Sequence, residues 1–329
     1  MQHHSISHLI ARIVLSAVAF FDNFNAHAQV DAKLTHYWAV PSYYNPAAIG
    51  LTDFINITGG SRLQWIGIPR APMSFIASGN MPFKLFNKRF GVGVVVSHDS
   101  FGLYKNLIAS AQISYKIHLF KGSLSIGAQV GIINDSFKGS EIVIPDGDEA
   151  HEPSDPGIPT TDVTGTGFDV AAGIHYQHKY FWLGASVTHI NNASIALKSD
   201  GTENPLYEFK AGRAYYFMAG GNIPIKNSLF DILPSGFFKF DGVTWQAEVT
   251  ARARFKKFLS AGVGYRWKDA VSILIGAEFK NFFIGYSYDY SISPISKATS
   301  GSHEVFLQYN VKLDLREKNK NKHKSIRIM

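Results

Sequence analysis

Long stretches of this 329-residue chain alternate between apolar and polar side chains, and that period of two restricts its fold more than any other feature. Leu107, Ala109, Ala111, Ile113, Tyr115, Ile117 and Leu119 are apolar, while Asn106, Ser110, Gln112, Ser114, Lys116 and His118 are polar. Val243, Trp245, Ala247, Val249, Ala251, Ala253 and Phe255 alternate with Thr244, Gln246, Glu248, Thr250, Arg252 and Arg254. Val305, Leu307, Tyr309, Val311 and Leu313 alternate with Glu304, Gln308, Asn310 and Lys312. Successive side chains of a strand point to opposite faces, so each segment has one apolar and one polar face.

A soluble β-sandwich also alternates, and strand length separates the two cases. These segments run to roughly 9–13 residues, which suits a tilted membrane strand better than a soluble one. Their polar faces carry Arg, Glu and Lys, costly to bury in a sandwich core but acceptable in a lumen. The apolar faces then meet lipid, where only a closed sheet leaves no edge unpaired. Composition agrees. Aromatic residues make up 14% of the chain and charged residues only 17%, with 29 Gly. Mean hydropathy is −0.02, and no apolar run reaches the length of a membrane helix.

The expectation is an all-β fold: a transmembrane antiparallel β-barrel of the outer membrane, with about fourteen strands and twelve as the smaller alternative. The strands read as 54–66, 70–79, 89–99, 103–119, 122–137, 163–177, 180–190, 212–223, 227–238, 242–255, 257–266, 271–280, 281–291 and 303–313. Pro234 interrupts the ninth. Connections after even strands are short and several carry Lys (Lys121, Lys179, Lys226, Lys256, Lys257, Lys280); Asn80 to Lys88 reads as the longest of that set. The three long connections, 138–162, 191–211 and 292–302, all follow odd strands. Short turns on one side and long loops on the other are the mark of an outer-membrane barrel, with the short side periplasmic.

Leu9 to Phe21 is a short apolar stretch, and Ala26-His27-Ala28 follows it with the small-x-small pattern of a cleavage site. Residues 1–28 thus read as a signal peptide, with a mature start at Gln29. Residues 29–53 read as an N-terminal periplasmic or plug segment, 54–314 as the barrel and 315–329 as a basic tail. From Arg316 on, six basic residues stand against one acid, Glu317, which accounts for five of the chain's seven net positive charges. No aromatic residue interleaves them, so a solvated end is the better reading than a nucleic-acid site.

Few features point to chemistry. There is no Cys, hence no disulfide or thiol chemistry. Asp146-Gly147-Asp148-Glu149, in an acidic Pro-rich loop, lacks the further spaced ligands of a calcium loop. His175 and His178, three apart on a strand, fall on opposite faces. HExxH, GxSxG and P-loop patterns are absent from the sequence. Gly91-Val92-Gly93, Gly262-Val263-Gly264 and Thr164-Gly165-Thr166-Gly167 open no helix. They read as places where a wall makes room for a bulky neighbour or a plug. No metal, cofactor or catalytic set is expected.

Two stretches go beyond generic barrel patterning. After the predicted cleavage site come His36-Tyr37-Trp38, then Asn45-Pro46-Ala47-Ala48-Ile49-Gly50, then Arg62-Leu63-Gln64-Trp65 and Ala71-Pro72. Near the end come Gly285-Tyr286-Ser287-Tyr288-Asp289-Tyr290 and Ser300-Gly301-Ser302-His303-Glu304. Together they resemble the PorP/SprF family of type IX secretion system outer-membrane proteins, over residues 36 to 313. The resemblance implies a Gram-negative, non-enzymatic secretion component. Its partners would be other type IX components and a surface protein with a C-terminal sorting domain, such as an adhesin used in gliding. The basic extension after Leu313 departs from a barrel that ends on its last strand. The runner-up reading is a porin or small-solute transporter; a more distant one is an outer-membrane hydrolase.

The motif residues also have structural readings. Asn45-Pro46 is a turn signal that could seat the N-terminal segment in the barrel mouth. Asp289 should face the lumen, while Tyr286, Tyr288 and Tyr290 suit an aromatic girdle. His303 and Glu304 open the closing strand. Packing is the expected role for all of them.

Overall fold

The computed structural model describes residues 31–142, 159–199 and 207–313. The expected signal peptide, most of the acidic loop with Asp146 to Glu149, and the basic tail lie outside the described residues.

Fourteen antiparallel strands close into one wall: β1 (Phe54–Leu63), β2 (Met73–Leu85), β3 (Lys88–Phe101), β4 (Tyr104–Leu119), β5 (Gly122–Lys138), β6 (Asp162–Gln177), β7 (Phe181–Thr188), β10 (Ala214–Gly221), β12 (Phe230–Phe240), β13 (Trp245–Phe255), β14 (Leu259–Arg266), β15 (Ala270–Phe279), β16 (Phe282–Ser291) and β17 (Ser302–Lys312). Each pairs with the next in this order, and β17 returns to β1. Every expected strand has its counterpart. Three shorter strands lie outside that order: β8 (Ser194–Ser199), β9 (Tyr207–Lys210) and β11 (Ile223–Pro224).

Alternation decides which face is which. On β15, Ser272 and Leu274 are buried while Val271, Ile273 and Ile275 lie bare on the outside, Ile273 being 59% exposed. Such a surface is stable only against lipid. Aromatic rings mark both rims of the band. Phe83, Phe90 and Tyr115 form a row at the short-turn rim, and Phe282 stacks on Tyr309 there. Phe101, Tyr104 and Phe137 line the long-loop rim, with Phe238, Trp245 and Trp267 across from them.

The expected long connection from Asn80 to Lys88 is instead a continuation of β2 and a two-residue turn, Phe86-Asn87. Pro82 lies within this continuation of β2. There β1 pairs with β2 only as far as Asn80, so beyond it Pro82 removes no bond from that ladder. Pro234 is accommodated similarly. The β10–β12 ladder stops at Gly220–Ser235 and resumes through β11 at Ile223–Ile232, leaving Pro234 in the gap.

The connection after β7 is not a bare loop. Its β8–β9 hairpin folds inward at the long-loop end, burying Ile195 and Leu197 against Ile108, Ile133 and Val163. Gly165 and Gly167 make the room: a Cβ on them would meet Ala196 O at 2.4 Å and Ile195 Cγ1 at 2.7 Å.

Residues 31–51 lie inside the wall. Tyr37, Val40, Tyr44, Ala47 and Ile49 are all buried, and the Tyr37–Tyr44 stretch packs against Tyr216, Phe237 and Phe306 of the wall. A one-turn helix, Pro41–Tyr44, and a 3-10 turn, Pro46–Ala48, compact this stretch. It begins beside Thr188 and His189 at the long-loop end and leaves at the short-turn end, where Asp53 pairs with Arg89.

Candidate functional site

Inside the lumen, a cluster of charges joins the inner segment to five wall strands. Arg62 of β1 donates from Nη2 to Asp289 of β16 at 2.7 Å and from Nη1 to Glu304 of β17 at 3.1 Å. Arg266, at the end of β14, donates to Glu248 of β13 at 2.8 Å and to Asp289 at 3.3 Å. These side chains are almost fully buried. Ion pairs so far from water hold only when their remaining lone pairs are also satisfied. The inner segment does this for Glu304 and Asp289. Thr35 and His36 give their backbone N–H groups to the two oxygens of Glu304 at 2.9 and 2.7 Å, and His36 Nδ1 donates to the same carboxylate at 2.7 Å. The Thr35 hydroxyl accepts from both guanidinium groups and donates to Asp289. Gly285 provides clearance, since a Cβ there would lie 2.8 Å from His36 Nε2.

A second junction seats Asn45, Pro46 and Gly50. Asn45 caps the 3-10 turn by accepting from Ala47 N–H at 2.9 Å, and its amide donates to Ile174 O at 2.9 Å. The wall opposite is glycine. A Cβ on Gly173 would sit 2.2 Å from Asn45 Oδ1, on Gly127 2.4 Å from Ala47 N, and on Gly91 2.7 Å from Ile49 O. Gly50 has φ +62° and would itself meet the Gly91 Cα at 2.5 Å, so no other residue fits there.

At the long-loop end His189 lies between two carboxylates, with Nδ1 2.8 Å from Asp169 and Nε2 3.3 Å from Asp31. Tyr216 donates to Asp31 at 2.5 Å. Burial works against the imidazolium, but the Asp31 charge and the Asp169 hydrogen bond outweigh it and raise His189 to about 10. Burial would likewise raise Asp31, yet His189, Lys239 and the Tyr216 hydroxyl hold its carboxyl well below the usual range. A cavity of about 320 Å³ opens beside it, lined in part by Lys33, Asp99, Asp269, Gln64, Trp65 and Pro72. Burial lowers the Lys33 ammonium from its ordinary value.

The other motif residues knit loops and the outer face. Gln64 N–H donates to Pro72 O at 2.9 Å, closing the β1–β2 loop. Trp65, at φ +53°, donates its N–H to Ser302 Oγ at 3.1 Å, while Ile66 N–H reaches Gly301 O at 2.8 Å. The loops of the first and last hairpins are therefore bonded to each other. His303 faces outward between Tyr286 and Tyr288, its Nδ1 2.6 Å from the Tyr286 hydroxyl.

The structure thus brings Arg62, Asp289, Glu304 and Gly285 together, sets Asn45, Pro46 and Gly50 on the glycine patch, and leaves the rest at one rim. Sequence reasoning missed Thr35, Arg266 and the Asp31–His189–Asp169 set. Charges on the inward phase of a strand, such as Glu248, are the one signal that was available. Among the described residues no group of three or more His, Asp or Glu is placed to hold a metal ion.

Solved structures with a similar shape are outer-membrane barrels. Omp33 of Acinetobacter baumannii is 9% identical, with a TM-score of 0.46, over 79% of this chain and 99% of its own. The toluene transporter TodX of P. putida is 12% identical, with a TM-score of 0.47, over 82% and 92%. The outer membrane phospholipase A of Escherichia coli is 9% identical, with a TM-score of 0.32, over 81% and 99%. At such scores no correspondence of sites follows. No curated protein matches the sequence. The sequence itself, however, matches the type IX secretion system membrane proteins PorP/SprF over residues 26–309, a span that contains both buried junctions. A sealed fourteen-stranded wall with these motifs at its internal joints is an outer-membrane barrel, and the chain belongs to the PorP/SprF family.

Proposed function

We propose that this barrel is a non-enzymatic partner within the type IX machinery that holds or passes a secreted surface protein, such as an adhesin used in gliding, at the outer membrane. The long loops face the cell exterior and the short turns the periplasm. One observation carries this reading over that of a porin: the lumen is occupied. The inner segment is fastened near the long-loop end by Asp31, in the middle by Thr35 and His36, and toward the short turns by Asn45 to Gly50. Buried ion pairs of this kind cost several kcal/mol to break, so the segment is a permanent part of the wall. A barrel filled in this way offers its rims and loops to partners.

Affinity purification from native membranes tests the role. Co-elution of secretion components and of a large surface protein is the expected result; recovery of neither overturns it. In planar bilayers the purified protein should be silent, and steady open-channel currents would establish a pore instead.

A further inference from the structure

At the short-turn end, a cavity of about 230 Å³ opens inside the wall and is lined in part by Trp38, Lys179, Tyr180, Trp182, Arg252 and Arg254. Its donors outnumber its acceptors. The Arg252 guanidinium lies flat on the Trp38 indole, 3.2 Å from the ring centre. Among the described residues it has no carboxylate within ion-pair distance, and its Nε is buried without an acceptor. The Trp38 indole N–H is also buried and unpaired. Arg254 differs: Asp231 at 2.9 Å and Glu278 at 3.6 Å already neutralise it. Lys179, in the turn at the rim, adds a further positive charge and lies over Tyr180.

Donors left unpaired in a partly desolvated pocket are costly, and an acceptor that fills them recovers that cost. Stacking on Trp38 occupies the flat face of the Arg252 guanidinium, so a ligand must meet its edge. The edge of a guanidinium is a fork that matches a planar carboxylate with two parallel hydrogen bonds. The pocket lies on the lumen side of the wall, away from the acyl chains outside. Aromatic side chains of Tyr180 and Trp182 frame it, as suits the last side chain of an extended peptide.

We propose that this mouth binds the C-terminal carboxylate of an extended peptide, with Arg252 as the fork, Trp38 as its platform and Lys179 as a steering charge. The inference stands apart from the secretion role, because the site would bind such a peptide in a barrel of any function.

The test uses the full mature protein in detergent and a fluorescein-labelled Ala-Ala-Ala-Leu peptide, as the free acid and as the C-terminal amide. Fluorescence anisotropy should saturate for the acid and be at least about tenfold weaker for the amide, a difference of one lost charge-assisted pair. R252Q should lose about tenfold or more in affinity while keeping the heat-modifiable gel shift of a folded barrel. Should R252Q not fold, R252K serves: it keeps the charge, loses the fork, and should bind about fivefold or more weakly than wild type. Acetate should displace the peptide better than inorganic phosphate does. Absence of saturable binding, equal affinity for acid and amide, unchanged affinity in the folded Arg252 variant, or stronger displacement by phosphate would each overturn the proposal.

Discussion

The Thr35 hydroxyl, 2.8 Å from Asp289, is the point where the inner segment and the wall share one hydrogen-bond network: it donates to that carboxylate and accepts from Arg62 and Arg266. Removing the negative charge leaves two guanidinium groups facing each other in a buried space. Asp289→Asn should therefore destabilise the barrel by about 3–5 kcal/mol. Thr35→Val, which removes only the hydroxyl, should cost about 1–3 kcal/mol. The urea midpoint of the heat-modifiable gel shift measures both, and equal midpoints for wild type and Asp289→Asn would contradict the role given to the cluster.

The glycine patch makes a steric prediction. Gly173→Val places atoms where Asn45 Oδ1 already sits and should destabilise by about 1–3 kcal/mol. Gly79→Ala is the control: its Cβ would lie 4.0 Å from Val94 Cγ2, an ordinary contact, and should change stability by no more than about 0.5 kcal/mol. Displacing Asn45 should also let small solutes through, which liposome swelling would record as a faster rate for Gly173→Val than for Gly79→Ala.

Stability should depend on pH through His189 and Asp31. A raised histidine stabilises fully below its unfolded value near 6.5, and that contribution fades as pH climbs toward about 10. A lowered aspartate does the reverse: its contribution is complete above an unfolded value near 3.8 and fades as pH falls below it. Melting temperature should therefore form a plateau between about pH 4 and 6.5 and decline on the alkaline side. His189→Gln should flatten that alkaline decline; an unchanged slope would show that other groups cause it.

The outer face should reject charge. Val263 is 59% exposed in the middle of β14, and Val263→Arg should cost about 2–4 kcal/mol in lipid. Folding yield into vesicles of defined composition is the readout, and a variant that inserts as well as wild type would show that this face does not meet lipid.

These tests divide along the line between what the chain shows locally and what it does not. Alternation assigns each strand residue to a face without reference to any other segment, which is why all fourteen wall strands were legible. It identifies no partners. Arg62, Asp289 and Glu304 were visible as separate motifs, but their meeting depends on closure of the wall. Asp31, Asp169 and His189 come from three separate segments with no shared spacing, so nothing local links them. The extent of β2 beyond Asn80 was hidden for a related reason: whether a residue such as Pro82 breaks a ladder depends on which neighbour is still paired at that level. The β8–β9 hairpin escaped because its strands are short and its inward packing is set by glycines on β6.

Arg62 and Glu304 are also direct cross-strand neighbours on the seam between β1 and β17. Their pairing therefore joins the first strand to be synthesised with the last. A chain cut before Ser302 would keep Arg62, Thr35, His36 and Asp289 but supply neither the Glu304 carboxylate that the first three share nor the strand that seals the sheet. Maturation of the interior is thereby made contingent on arrival of the final hairpin, and incomplete chains would present an open edge and a loose N-terminal segment to periplasmic proteases.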